Sequence, residues 1–314
     1  MSLALLGTAP ASAQPSFAGT GMLASAVARL TPSFGGRLGV SAVDLENGRT
    51  LAIEGDRRFA MASTVKVAVA ATYLHQVEEG RRRLDEPLAR LGARLPALTL
   101  INMMLTRSDN AATDALLAAV GGPGIVTQWL RQAGVRGQRA DRTIARLLLD
   151  DLKVPALRAR AAPLLKRYGG SLPWLSYEDI GTAPAQADGD PRDTTTPEAM
   201  TTLLARLYRG ELLSPDHTDL LFRTMAHCAT GSNRLIAMLP RGTLFAHKTG
   251  TLNGVTNDVG ILTLPNGHHV AIAAFVNGGA VAAERSRALA AMGRLLYDAF
   301  LMSAPAGLPG FMGG

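Results

Sequence analysis

Three short groups of residues in this 314-residue chain have the composition of a nucleophilic acyl-transfer site. Ser63-Thr-Val-Lys66 sets a hydroxyl and an amine three residues apart. On a helix that spacing puts both on one face, one turn apart, where an amine of lowered pKa can take the hydroxyl proton and release a nucleophile. Ser108-Asp-Asn110 offers a second hydroxyl and an amide. Lys248-Thr249-Gly250 offers a second ammonium, a hydroxyl and a position that admits close approach. A Ser-x-x-Lys match alone is weak, since about one is expected by chance in a chain of this size. Lysine usage adds to it. Only Lys66, Lys153, Lys166 and Lys248 occur, and the other 28 of 32 basic residues are arginine. Two of the four lysines fall in these groups, where a compact ammonium or a pKa that burial lowers serves better than guanidinium.

The surrounding pattern predicts the elements that hold them. Arg37–Leu45 and Thr50–Glu54 read as strands joined at the turn dipeptide Asn47-Gly48. From Ser63 the apolar spacing becomes helical, with Ser63-Thr64 as the cap, and runs to Gly80. Helices are expected at 98–106, 111–120, 123–133, 144–152, 197–208 and 215–225, with no strand among them. Strands follow at 243–248, 258–264 and 268–276, the last two joined at Asn266-Gly267, then a helix from about 282 to 301. Strands at both ends around a helical middle imply an α/β fold: an antiparallel sheet lobe built from both termini, with an inserted helical lobe and a cleft between them.

Composition narrows the function classes. Hydrophobic residues make up 47% and charged residues 18%, as in ordinary globular proteins, and no run reaches the ~18–20 apolar residues of a membrane span. The net charge of +7 comes from scattered arginines, clustered only at Arg81-Arg82-Arg83 and not interleaved with aromatics, so a nucleic-acid partner is not expected. Cys228, the single cysteine, reads as a buried inert thiol, and no metal-ligand spacing occurs. Apolar residues lead to Ala11-Ser12-Ala13, a small-residue cleavage pattern; residues 1–13 therefore read as the remainder of an export signal and 305–314 as a loose tail.

In order, the three motifs resemble the signature of the class A serine β-lactamases within the penicillin-binding protein superfamily. The resemblance extends over residues 35–300, through Gly121-Gly-Pro123, Arg192-Asp-Thr-Thr-Thr-Pro197, Leu239-Pro-Arg-Gly-Thr243 and Asn257-Asp-Val-Gly-Ile261. It implies a three-layer α-β-α sandwich from residues 14–59 and 227–304, and a helical lobe from 60–226. It also implies roles. Ser63 is the nucleophile and Lys66 its base. Ser108 relays the proton to the leaving nitrogen, and Asn110 holds Lys66 and the substrate. Lys248 and Thr249 bind the substrate carboxylate, Gly250 permits its close approach, Thr251 completes the substrate-binding set, and the backbone N–H groups of Ser63 and Thr251 form the oxyanion hole. The implied protein is an exported monomer that takes a small-molecule β-lactam without cofactor or metal.

One segment departs from the family. A glutamate that activates the deacylating water is expected shortly after Arg139-Ala-Asp-Arg142, where this chain has Thr143-Ile144. Between Arg142 and Asp193 an extended Ω-loop replaces the family's shorter one. Counting back from Arg192-Asp193 instead reaches Ser176-Tyr-Glu-Asp179, so Glu178, ahead of Asp179, is the candidate replacement base, against the reading of both as surface carboxylates. Acylation does not need that base, but hydrolysis of the acyl-enzyme does. Three activities therefore stay open: β-lactam hydrolysis, a DD-peptidase or esterase, and an acylated sensor that holds the antibiotic.

Overall fold

The computed structural model describes residues 35–151, 190–279 and 281–302, with positions 25, 159–160 and 162–163. The export-signal residues, the tail from 305, Glu178, Asp179 and Asp188 lie outside the described residues.

β1 (Gly36–Asp44), β2 (Thr50–Ile53), β7 (Phe245–Leu252), β8 (Val255–Thr263) and β9 (His269–Gly278) form one antiparallel sheet in the order β2-β1-β9-β8-β7. Strands from both ends of the chain thus meet at the β1–β9 pair, where Val40 faces Ala274. The period-2 alternation divides β9 between two cores. Val270, Ile272, Ala274 and Val276 pack with α8 (Ala282–Met302), while Ala271, Ala273 and Phe275 pack with the helical lobe. The result is the α/β fold with a three-layer sandwich and an inserted helical lobe.

That lobe centres on α1 (Lys66–Glu78), of whose thirteen residues ten are buried. A helix apolar on nearly every side belongs inside a core. Around it lie α2 (Ala97–Thr106), α3 (Asn110–Val120), α4 (Pro123–Gln132), α5 (Ile144–Asp151), α6 (Pro197–Tyr208) and α7 (Pro215–Ala226). Their starts follow local chemistry. Asp109, Thr196 and Ser214 cap α3, α6 and α7 through side-chain oxygens, and proline opens α4, α6 and α7.

The structure corrects four readings of the sequence. The middle of the chain does contain strands: β4 (Pro87–Arg90) and β5 (Ala93–Pro96) pair around Leu91-Gly92, both at positive φ, the geometry of a two-residue hairpin turn. β3 (Phe59–Ala60) pairs with β6 (Thr194–Thr195), too short to give a period. β7 continues past Lys248 to Leu252 and turns at Asn253-Gly254, so Lys248-Thr-Gly250 sits within the strand, paired to Val259, Asp258 and Asn257. Ser63 caps no helix. It lies in a 3₁₀ turn, Ala62–Val65, and α1 starts at Lys66.

Candidate active site

The turn that carries Ser63 is fixed from several directions. Asn257 Nδ2 donates to the carbonyls of Ala60 and Met61, at 2.8 and 3.1 Å, and Met61 N donates to Asp193 O at 2.9 Å. The turn rests on β7 at Gly250, where a Cβ would stand 2.7 Å from Met61 O. The glycine therefore admits the serine turn itself, a tighter requirement than the approach of a ligand. Ala62, next to the hydroxyl, holds φ +49°, and Ser108 holds φ +58°, a conformation that side-chain-bearing residues adopt only when their surroundings force it.

Lys66, fully buried, donates from Nζ to Ser108 O at 2.7 Å, Asn110 Oδ1 at 2.7 Å and Ser108 Oγ at 3.0 Å. Lys248, also fully buried, donates to the same Ser108 Oγ at 3.0 Å and to Thr249 O at 2.9 Å. The two nitrogens are thus at most about 6 Å apart. Two ammonium groups at that distance repel by about 3 kcal/mol at an effective dielectric of ~20, or roughly two pKa units, which disfavours charge on both at once. Burial and then Lys248 push Lys66 well below the usual lysine range, against the pull of Asp109 and Asp114. Burial lowers Lys248 to about 8, opposed by Cys228 and Asp258. Lys66 is the one of the two whose charge is opposed by the other lysine as well as by burial. In its neutral form it would accept from the Ser108 hydroxyl instead of donating to it.

The remaining motif residues have structural partners. Asp109 caps α3 through Ala112 N at 2.7 Å and pairs with Arg90. Thr249 Oγ1 lies 2.6 Å from Thr230 Oγ1. Thr251 Oγ1 accepts from Arg234 Nη2 at 2.6 Å, and Arg234 Nη1 donates to Gly250 O and Asn257 O. This buried guanidinium was not anticipated; in an arginine-rich chain one more arginine carries no sequence signal.

Cys228, read from the sequence as a buried inert thiol, is less enclosed than that. It is half-buried, and burial pushes its thiol up, but hydrogen bonding and charge from His247 outweigh that and leave it near 7. His247 stacks on Phe245 with ring centroids 4.6 Å apart and holds Asp258 at 2.7 Å. Burial lowers its pKa, but Asp258 and Cys228 raise it to about 10. A second polar group, Asp44, Glu46 and His268, has ligand atoms close enough for a cation, but Asp44 already takes the N–H groups of Glu46 and Asn47 in the β1–β2 turn, and Glu46 takes that of His269 on β9.

The long segment after Arg142 is tied at its base. Asp193 accepts Arg142 Nε at 2.5 Å and the N–H groups of Asp141 and Arg142, and Asp150 accepts Arg142 Nη1 at 3.0 Å. Asp190, read from the sequence as a solvated turn residue, binds Arg192 and Arg142. Ile144, where the glutamate was expected, is buried.

The β-lactamase enzyme family matches residues 22–300 of this chain. The chain belongs to that family. Among relatives of this family member, β-lactamase Toho-1 of Escherichia coli is 30% identical, with 86% of this chain and 87% of the relative covered. β-Lactamase L2 of Stenotrophomonas maltophilia is 31% identical, over 85% and 82%. The solved structure of the last common ancestor of Gram-negative bacteria class A β-lactamase aligns with a TM-score of 0.73 at 32% identity, covering 88% of this β-lactamase family member and 99% of that chain. A β-lactamase from Xanthomonas campestris aligns at 0.72 with 30% identity, over 89% and 97%. These likenesses put the chain in the class A serine β-lactamase family.

Proposed function

We propose that this protein hydrolyses the cyclic amide of β-lactams through an acyl-enzyme on Ser63. The observation that carries the reading is the convergence of Lys66, Lys248 and Asn110 around Ser108, in a member of the β-lactamase enzyme family with relatives named β-lactamases. Lys66, short of a proton, takes that of Ser63 as Oγ bonds the lactam carbon. The backbone N–H groups of Ser63 and Thr251 donate to the developing oxyanion. The proton passes from Lys66 through the Ser108 hydroxyl to the nitrogen as the ring bond breaks. Lys248, Thr249 and Thr251 receive the substrate carboxylate and Asn110 its acylamide side chain.

Water must then release the acyl group, and the buried Ile144 side chain cannot activate it. That observation favours a second reading in which the protein acylates and releases slowly. Mixing the purified protein with a chromogenic cephalosporin, while following colour and intact mass, separates the two. Sustained colour supports hydrolysis, and a stoichiometric burst with a lasting mass gain supports trapping. No colour and no adduct, with ester or peptide turnover, supports the DD-peptidase or esterase. Ser63→Ala abolishes both colour and adduct, and retained labelling refutes the nucleophile.

Export is part of the same reading. No helix among the described residues is long and apolar enough to cross a membrane. Cleavage after Ala13 predicts a mature protein that begins at Gln14, which N-terminal sequencing of the exported form checks.

A further inference from the structure

Two described carboxylates act electrostatically on Lys66, Asp109 and Asp114. Asp109 is committed: it caps α3 and holds the Arg90 guanidinium with both oxygens. Asp114 pairs with no cation among the described residues. It lies one helical turn beyond Asn110 on α3, so the two side chains share a face, with Cβ atoms about 5–6 Å apart. Asn110 is the residue that touches Lys66 Nζ.

The partners of Asp114 are more specific still. Its Oδ1 accepts Ile144 N at 2.6 Å and its Oδ2 accepts Ala145 N at 3.0 Å. The carboxylate therefore lies under the backbone of the position whose own side chain is apolar. The helix that starts there, α5, places Leu147 in one small apolar cluster with Ala62, the neighbour of Ser63, and through Asp151 holds the β7–β8 turn at Asn253 N. A carboxylate has about four acceptor sites, and two backbone N–H groups leave capacity for a water.

From this placement we infer that Asp114 is the catalytic carboxylate that takes the proton of the water releasing the acyl group from Ser63. The inference rests on the acyl-enzyme reading above. The water oxygen bonds the ester carbon while its proton goes to Asp114. The tetrahedral intermediate collapses with cleavage of the carbon–Oγ bond, and the proton returns to Oγ by way of Lys66. One water is consumed, and carboxylic acid and free serine result.

The electrostatics suit the task. Burial raises the Asp114 carboxyl above the usual aspartate range, and the N–H groups of Ala145 and Ile144, then Lys66, only partly offset it. Other charges on the elements packed around it are engaged elsewhere or distant. Arg142 and Arg146 bind Asp150, Arg142 also binds Asp193, and Arg90 binds Asp109. His75, Glu78 and Arg131 stand at the far ends of α1 and α4.

The test is Asp114→Asn beside Asp114→Glu and Glu178→Gln, each mixed rapidly with a chromogenic cephalosporin and sampled by intact mass. The expected result for Asp114→Asn is burst acylation within a few-fold of wild type, with deacylation slower by roughly 100-fold or more and a persistent adduct. Asp114→Glu keeps measurable turnover. Wild-type deacylation falls at low pH through one ionisation, and that limb vanishes in Asp114→Asn; a merely structural role would not remove it. Wild-type turnover by Asp114→Asn, or adduct accumulation in Glu178→Gln alone, overturns the inference. If Asp114→Asn does not fold, a wild-type deacylation rate without an acidic limb also overturns it. Failure of the wild-type protein to acylate at all removes the acyl-enzyme reading and this inference together, and so is distinguishable.

Discussion

Lys66 and Lys248 share one acceptor, Ser108 Oγ, at 3.0 Å from each nitrogen. Among the described residues that oxygen is the one atom to which both lysines hydrogen-bond, so the Ser108 hydroxyl couples the two amines. In Ser108→Ala both lose a partner in a buried site, and the relay to the leaving nitrogen is cut. The expected loss in acylation is roughly 100-fold or more, read as kcat/KM in stopped flow, with adduct chemistry still confined to Ser63. Unchanged acylation would remove Ser108 from the proton path.

The pH dependence of acylation follows from the same pair. Lys66 is needed neutral and Lys248 charged. Lys248 loses its proton as pH rises through about 8, so kcat/KM falls on the alkaline side with a midpoint near 8, mainly through KM for carboxylate-bearing substrates. In Lys248→Arg, whose guanidinium stays charged, that limb disappears. A plateau through pH 10 in the wild-type protein would contradict the assignment.

His247 is a stability residue. The His247 and Asp258 side chains are almost wholly inaccessible, and removing one partner strands a charge, which typically costs about 3–5 kcal/mol. The folded pKa of about 10 exceeds the unfolded value of roughly 6.5. The contribution is therefore complete below about pH 6.5 and is lost as pH rises to 10. Urea unfolding of His247→Ala at pH 6 and pH 10 should show a large deficit at the first and a small one at the second. A pH-independent deficit would mean that only packing was lost.

Against the upward push of burial, His247 beside Cys228 lowers its thiol to about 7, which favours the thiolate at neutral pH more than in a free cysteine. Alkylation by iodoacetamide should have a midpoint near pH 7. A midpoint at 8.5 or above, the range of an unperturbed thiol, would show that His247 does not act on it.

Arg142 ties both ends of the long segment to α5. Arg142→Ala takes the paired cation from the largely buried Asp193 and one of the cations from Asp150, which keeps Arg146, and the expected loss is roughly 3 kcal/mol in urea unfolding. A loss within about 0.5 kcal/mol would show a solvated, dispensable pair.

Particular residues explain what the sequence disclosed. The sheet was legible because β1 and β9 alternate or run apolar between Asn-Gly turns, and α1 because its apolar residues continue unbroken. Lys66 and Lys248 stood out because lysine is scarce. The β4–β5 hairpin was hidden: its side chains alternate only between exposed and half-buried, and Leu91-Gly92 is a weak turn signal. The extension of β7 was hidden as well, because Thr249-Gly250-Thr251 lacks apolar residues, yet pairing to β8 fixes it. Asp114 could not be singled out, because its significance comes from Ile144, thirty positions away in the chain.

The left-handed backbone at Ala62 and Ser108 has a consequence for the protein's tolerance of change. Such conformations cost of order 1–3 kcal/mol each, and surrounding packing must hold them in place. Glycine at either position would relieve that tension and raise thermal resistance, at Ala62 while loosening the serine turn and at Ser108 while deleting the hydroxyl that both lysines share. Selection for resilience and selection for turnover therefore pull these two positions in opposite directions.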